Sequence, residues 1–265
     1  MNKKPKKINA LYDFCFFPNF DQEIENLANN LAHKEPWDFN SAKKPSYQIL
    51  KNYIFHTFEK LEAEKKILFA SQNKFACFNT GLVTNNWEEI FAFFEKNRNQ
   101  GKQDFVFKDF IKKSDTRLIN NFSDIPEIAN YFSKPEDLIF NPTLEIIPQI
   151  DHIVEDNIDR FPNSWQTSPK EKICSDLDGA IRSMAKKIRT NYTLAVPQYF
   201  GGKIQLLLPL HLTYGSDKPD LALVIHKTQQ GNAYTARTCL TLEMAYNNAR
   251  LIVKPLSSWL EANQI

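Results

Sequence analysis

Apolar residues recur along this chain at two different spacings. In "YQILKNYIFHTFEKLEAEKK", Ile49, Leu50, Tyr53, Ile54, Phe58 and Leu61 repeat every three to four residues, which predicts an amphipathic helix over 46–65. The next run, "KILFASQNKFACFNTGL", holds short apolar stretches on either side of the turn-forming "SQNK" and reads as a hairpin. "NNWEEIFAFFEKN" reads as a helix with Trp87, Ile90, Phe91 and Phe94 on one face and Asn86 as its N-cap. "QDFVFKDF" alternates as a strand, "IPEIANYF" suggests a short helix, and "DLIF" a small strand within the irregular region Pro135–Pro148.

Beyond that region the signals strengthen. "IPQIDHIVEDNIDRF" is helical, with Ile150, Ile153, Val154 and Ile158 on its apolar side. "TSPKEKICSDLDGAIRSMAKKIRTNY" carries the marks of a helix start: Ser168 as cap, Pro169 at the first helical position and Glu171 completing a capping box. Its acidic residues stand early and its basic residues late, which complements the helix dipole. Three strands follow, "KIQLLLPLHL", "DLALVIHKT" and "AYTARTCLTL", the last two joined by the Gly-bearing loop "QQGN". Strands linked by hairpins, without regular βαβ alternation, predict an α+β fold: a mainly antiparallel sheet flanked by helices, as a single domain over 11–265 after a disordered basic tail over 1–10.

Composition narrows the class. The chain has 265 residues, 42% of them hydrophobic, with 21 Phe and only 7 Gly, enough apolar material for a substantial core. The net charge is +2, but four lysines fall within "MNKKPKK", so the remainder is slightly acidic and not a polycation. Cys15, Cys77, Cys174 and Cys239 are widely separated, which supports neither a zinc knuckle nor a dithiol redox motif and suits a reducing cytoplasm. No apolar run reaches membrane-spanning length, and no apolar stretch follows the lysines as a secretory signal requires, so no membrane association is expected.

Several familiar sites are absent from the sequence: there is no G-x-G-x-x-G, P-loop, G-x-S-x-G or H-E-x-x-H. The polar candidates lie elsewhere. Helical spacing sets His152, Asp156 and Asp159 on one side, with Arg160 four residues after Asp156, which is either an acid–base group with an anion clamp or an ordinary solvated face. Asn191, Gln198, Tyr199 and Gln205 are interleaved with apolar residues around Gly201-Gly202, where buried amides either read a polar ligand or satisfy one another. A helix from Thr241 aligns Glu243, Asn247 and Arg250 beside Tyr246 and Asn248, a set suited to a phosphate or carboxylate, or else a Glu–Arg staple. Asn79, Thr80 and Gly81 end an apolar strand as an anion nest or as plain turn chemistry.

In order along the chain, "FNTGL", "DHIVEDNIDRFP", "NYTLAVPQYF", "IQLLLPL", "DLALVI", "LTLEMAYNNARLI" and "SSWL" resemble the domain-of-unknown-function 3825 family, from about Phe75 to Leu260. That family has no established activity and occurs joined to RNA-binding modules, so the resemblance implies an RNA-linked role. Its motif positions fall here on Asn79, Gly81, Arg160, Asn191, Gln198, Tyr199, Gln205, Tyr246, Asn247, Asn248 and Arg250.

The leading expectation is an RNA- or nucleotide-binding domain in which Arg160, Arg189 and Arg250 hold phosphate while the amides and tyrosines orient a base or sugar. If it cleaves or modifies its ligand, His152 is the acid or base, with Glu243 and Arg250 completing the catalytic set and no metal or other cofactor required. Two alternatives stay open. One is a metal-dependent phosphodiesterase or nuclease with Mg²⁺ or Mn²⁺ on carboxylates among Asp151, Asp156, Asp220 and Glu243; the other is a non-enzymatic protein-interaction domain presenting the Phe-rich N-terminal half.

Overall fold

The computed structural model describes residues 10–40, 44–70, 72–99 and 102–265. The expected basic tail lies outside the described residues except for Ala10, which opens a helix. The chain divides into two compact units: one runs up to Asp38 and then on to Asn130, and the other joins a short segment at Phe39 to Tyr131–Ile265. Each unit has its own five-stranded, mainly antiparallel sheet with helices against it, an α+β architecture.

The first unit begins with α1 (Ala10–Phe14), β1 (Cys15–Phe16) and α2 (Phe20–Asn26), which runs into a π-helical turn at Leu27–Leu31. Then come α3 (Gln48–Ala63), β2 (Leu68–Ala70), β3 (Phe75–Val83), β4 (Glu89–Lys96), β5 (Phe105–Lys112) and α4 (Thr116–Asn121). Strand order is β1-β5-β4-β3-β2, and only the two-residue β1 pairs in parallel. All six apolar positions predicted for the first long helix are buried on α3.

The segment expected as a helix over "NNWEEIFAFFEKN" is instead β4, paired with both β3 and β5. Its five central residues, Ile90 to Phe94, are all buried, because Phe91 and Phe93 face the cluster with Ile111, Leu118 and Phe122 while Phe94 stacks on Phe78 toward the other side. A strand covered on both faces loses the alternation that identifies strands, and its continuous apolar run matches helical spacing by accident. "IPEIANYF" forms no helix either; its backbone is tied to α3, with Asn130 N–H donating to Glu64 and Lys66 donating to the Ile128 carbonyl.

The second unit contains β6 (Glu145–Pro148), α5 (Ile150–Asn157) continuing into a 3₁₀ turn (Ile158–Arg160), α6 (Asn163–Gln166), α7 (Lys170–Thr190), β7 (Val196–Phe200), β8 (Lys203–Leu210), β9 (Leu221–Lys227), β10 (Ala233–Leu240) and α8 (Leu242–Arg250). Strand order is β6-β10-β9-β8-β7, with β6 parallel to β10 and the others antiparallel. Alternate residues Leu206, Leu208 and Leu210 of β8 and Leu221, Leu223 and Ile225 of β9 pack with the apolar stripes of α5 and α7 into one core.

"DLIF" is not a strand: Pro135–Leu138 form a 3₁₀ turn, fixed where Asp137 meets Lys227 at 2.9 Å. The capping box at the start of α7 is also absent. Helix begins at Lys170, Pro169 stands just before it, and the Ser168 hydroxyl turns back to donate to the Ser164 carbonyl. That hydroxyl is spent on the preceding turn of α6, so local chain direction overrides the sequence signal. Among the described residues, no helix is long and apolar enough to cross a membrane.

Candidate functional site

The polar end of the second sheet is built by the β7–β8 hairpin. Its turn residues Gly201 and Gly202 have φ of 58° and 82°, the double left-handed conformation of a tight hairpin turn, and nothing stands within 4 Å of where a Cβ would be. Glycine is therefore required here by backbone conformation and not by crowding. The hairpin register sets Gln198 directly opposite Gln205.

Gln198 is 1% exposed and uses both ends of its amide. Its Nε2 donates to Gln205 Oε1 at 2.9 Å, and its Oε1 accepts from Asn248 Nδ2 of α8 at 3.1 Å. The result is a relay, Asn248 to Gln198 to Gln205, in which the buried middle member fixes the orientation of the other two. α8 reaches this position because Thr241 caps its first turn, accepting from Met244 N–H, and because Ala245, Tyr246 and Ala249 are buried.

Gln205 lines a cleft of about 710 Å³ together with Lys203, His226, Thr235, Gln149 and Tyr131. That volume lies within the range of small-molecule sites. The Leu206–Ile225 pairing brings Gln205 alongside His226 at the next position, and Thr235 pairs with His226 from the other side. Tyr199 joins through its ring, which meets Tyr131 edge to face at 4.9 Å. Burial, and then the charges of Lys203 and Arg237, hold the His226 imidazole below its ordinary pKa.

The remaining candidates are distributed. His152 has both ring nitrogens engaged: Nδ1 lies 2.9 Å from Asp156 and Nε2 2.8 Å from an Arg237 guanidinium nitrogen. Since arginine can only donate, Nε2 accepts and Nδ1 carries the proton toward Asp156. Arg160 Nη1 donates to Asn157 Oδ1 and to the Cys239 carbonyl, and the same buried Asn157 accepts from Thr238, so this arginine ties the 3₁₀ turn to the end of β10. Arg189 is exposed late in α7 and lines a separate groove of about 470 Å³ with Arg182 and Lys186. Asn191 caps the 3₁₀ turn Tyr192–Leu194, accepting from Thr193 N–H and Oγ1.

On α8, Glu243 and Arg250 stand in the first and last turns. Tyr246 is buried with its ring against Phe39 at 5.8 Å, and Asn247 Oδ1 is buried without a hydrogen-bond partner among the described residues. Arg160, Arg189 and Arg250 do not line the 710 Å³ cleft.

Asn79, Thr80 and Gly81 belong to the first unit, where they form a bulge in β3. Asn79 donates to Glu89 and to the Pro126 carbonyl and accepts from Gly81 N–H, while Thr80 donates to the Ile90 carbonyl and accepts from Leu82 N–H. Their polar atoms are spent within the bulge, so the turn-chemistry reading fits this segment and the anion-nest reading does not.

The carboxylates considered for a metal are also apart. Asp220 accepts from Leu212 N–H, Thr213 N–H and Thr213 Oγ1, Asp156 faces His152, and Asp151 is 3.8 Å from Cys174 Sγ. Among the described residues, no group of three or more His, Cys, Asp or Glu is placed to hold a metal ion.

Sequence reading missed His226, Lys203, Thr235 and Tyr131. The "QQGN" hairpin fixes Thr235 opposite His226, so that part of the row was available from the loop length. Tyr131 reaches the cleft only through the tertiary fold.

By fold and site, the chain is an α+β protein whose second unit carries a polar cleft fed by a buried amide relay. It belongs to the DUF3825 family, a domain of unknown function, whose pattern matches residues 28–259. No curated protein and no solved structure matches it.

Proposed function

We propose that the second unit binds a phosphate-bearing nucleotide or a short RNA segment in the cleft beside Gln205. The observation that carries this reading is the relay itself. Burying the Gln198 amide costs free energy that its two hydrogen bonds offset, and the outcome is an outward-facing Gln205 amide held in one orientation. A fixed amide can satisfy a donor–acceptor pair on a base edge, and Tyr131 and Tyr199 supply ring surface close by. Lys203 supplies positive charge at the rim, and its side chain makes no ion pair or hydrogen bond among the described residues. Cleavage or modification of the bound ligand is a separate proposal, tested by following product from the same RNA.

The test is fluorescence anisotropy with labelled single-stranded oligoribonucleotides, alongside a thermal-shift panel of nucleotides. Binding should weaken as salt rises, and Gln205→Leu should lose about tenfold in affinity, within the 1–3 kcal/mol scale of a base-edge contact. Unchanged affinity in Gln205→Leu, or no binding by any ligand in the panel, would sink the reading.

A further inference from the structure

Three basic side chains gather at the polar end of the second sheet, none of them among the arginines chosen from the sequence. Lys203 opens β8 immediately after the glycine turn, His226 lies between Gln205 and Thr235 in the strand register, and Arg237 stands at a bulge in β10 two residues after Thr235. Among the described residues, the Lys203 and His226 side chains make no hydrogen bond, and the Arg237 side chain bonds only to Nε2 of His152. Asp156 is held on Nδ1 of His152 and makes no ion pair with Arg237, and the carboxylate that lines the cleft itself is Asp137. Lys227, next along β9, is already neutralised by Asp137.

Two fixed cations therefore flank a half-buried imidazole, and among the described residues no acidic side chain is paired to any of the three. Their repulsion, added to burial, disfavours the imidazolium. Such an arrangement is poorly suited to a structural role, since removing charge here would relieve strain. It suits a doubly charged anion, whose oxygens would accept from all three groups and turn repulsion into attraction.

We infer that Lys203 and His226, which line this cleft, together with Arg237 two residues beyond the lining Thr235, form a phosphate subsite, and that seating a phosphate there is coupled to protonation of His226. This rests on the proposed nucleotide or RNA reading and assigns its anionic part. The sign follows from linkage: the free imidazole titrates below its ordinary value and the bound one above its free value. Between those two values, binding takes up a proton and affinity falls as pH rises. Charged groups around the imidazole are Lys203 from β8 and Arg237 from β10, with His152 and Asp156 of α5 behind Arg237 and the Asp137–Lys227 pair lining the same cleft.

The experiment is an NMR titration of the histidine imidazole resonances of the full chain, with His226 assigned through His226→Gln, using inorganic phosphate alone as the probe. Saturating phosphate should raise the His226 midpoint by about one unit, equivalent to about tenfold preference for the protonated form. Lys203→Met, at an exposed position that leaves the core intact, should abolish most of that rise and weaken phosphate binding about tenfold, and Arg237→Met should do the same. An unmoved His226 midpoint, absent phosphate binding, or phosphate affinity in His226→Gln and Lys203→Met equal to that of the parent overturns the subsite. Oligoribonucleotide binding that persists alongside such a result overturns the subsite alone, whereas loss of oligoribonucleotide binding as well overturns the cleft reading with it.

Discussion

Gly81→Ala separates a structural bulge from an anion nest. Gly81 sits at φ 73°, and a Cβ built on it would lie 2.6 Å from the Tyr53 hydroxyl oxygen. Placing alanine in the left-handed region costs about 1–2 kcal/mol, offset by about 0.4–1 kcal/mol from the reduced entropy of the unfolded chain. Tyr53 is buried on α3, so its hydroxyl cannot simply swing into solvent, and relieving the overlap adds about 1–3 kcal/mol of overpacking. The sum is a loss of about 1–4.5 kcal/mol.

The two parts can be separated, because the next Tyr53 atom, Cζ, is 3.9 Å from the same Cβ, an ordinary contact. In a Tyr53→Phe background the steric part should vanish and only about 0–1.5 kcal/mol should remain, giving a coupling of about 1–3 kcal/mol in the double-mutant cycle. Equilibrium urea unfolding of the four proteins measures this. Ligand affinity of the folded Gly81→Ala protein should equal that of the parent. A loss below about 0.5 kcal/mol, or the same loss with and without the Tyr53 hydroxyl, refutes the packing argument. Full stability with weakened anion binding would restore the nest.

Gln198→Met keeps the volume of the buried side chain but strands Gln205 Oε1 and Asn248 Nδ2; both are half-buried and can recruit water, so urea unfolding should show a loss of about 1–3 kcal/mol, and oligoribonucleotide affinity should drop through the freed Gln205 amide. Stability and binding that both stay at parental values would show the relay to be idle. Thiol chemistry provides a check on the core: Cys15, Cys77 and Cys239 are buried, and burial pushes the Cys15 and Cys239 thiols up to about 12 and that of Cys77 higher still, leaving Cys174 as the accessible one. A thiol-reactive dye at pH 8 should label one site rapidly in the native protein and four after denaturation. Rapid native labelling of two or more contradicts the burial pattern.

Local signals were sufficient wherever one face of an element is buried. The α3 stripe, the α7 stripe, the three last strands and the Thr241 start of α8 each follow from residues within one stretch of chain, since a single apolar side leaves a spacing that identifies the element. Gln198, Gln205 and Asn248 stood out for the same reason: neutral amides among apolar neighbours demand partners. What no stretch of sequence could supply was how both sides of an element are covered and which distant groups meet. β4 is buried on two faces and so shows no alternation, Ser168 spends its hydroxyl on the turn before it, and Asn79 to Gly81 satisfy themselves against Glu89, Ile90 and Pro126. The cleft depends on the strand register that sets His226 between Gln205 and Thr235, and on Tyr131 arriving from 68 residues before Tyr199. Periodicity records how one segment meets its surroundings on average, whereas a site is a set of distances between segments, and those exist only once hydrogen-bond register and core packing have fixed the chain.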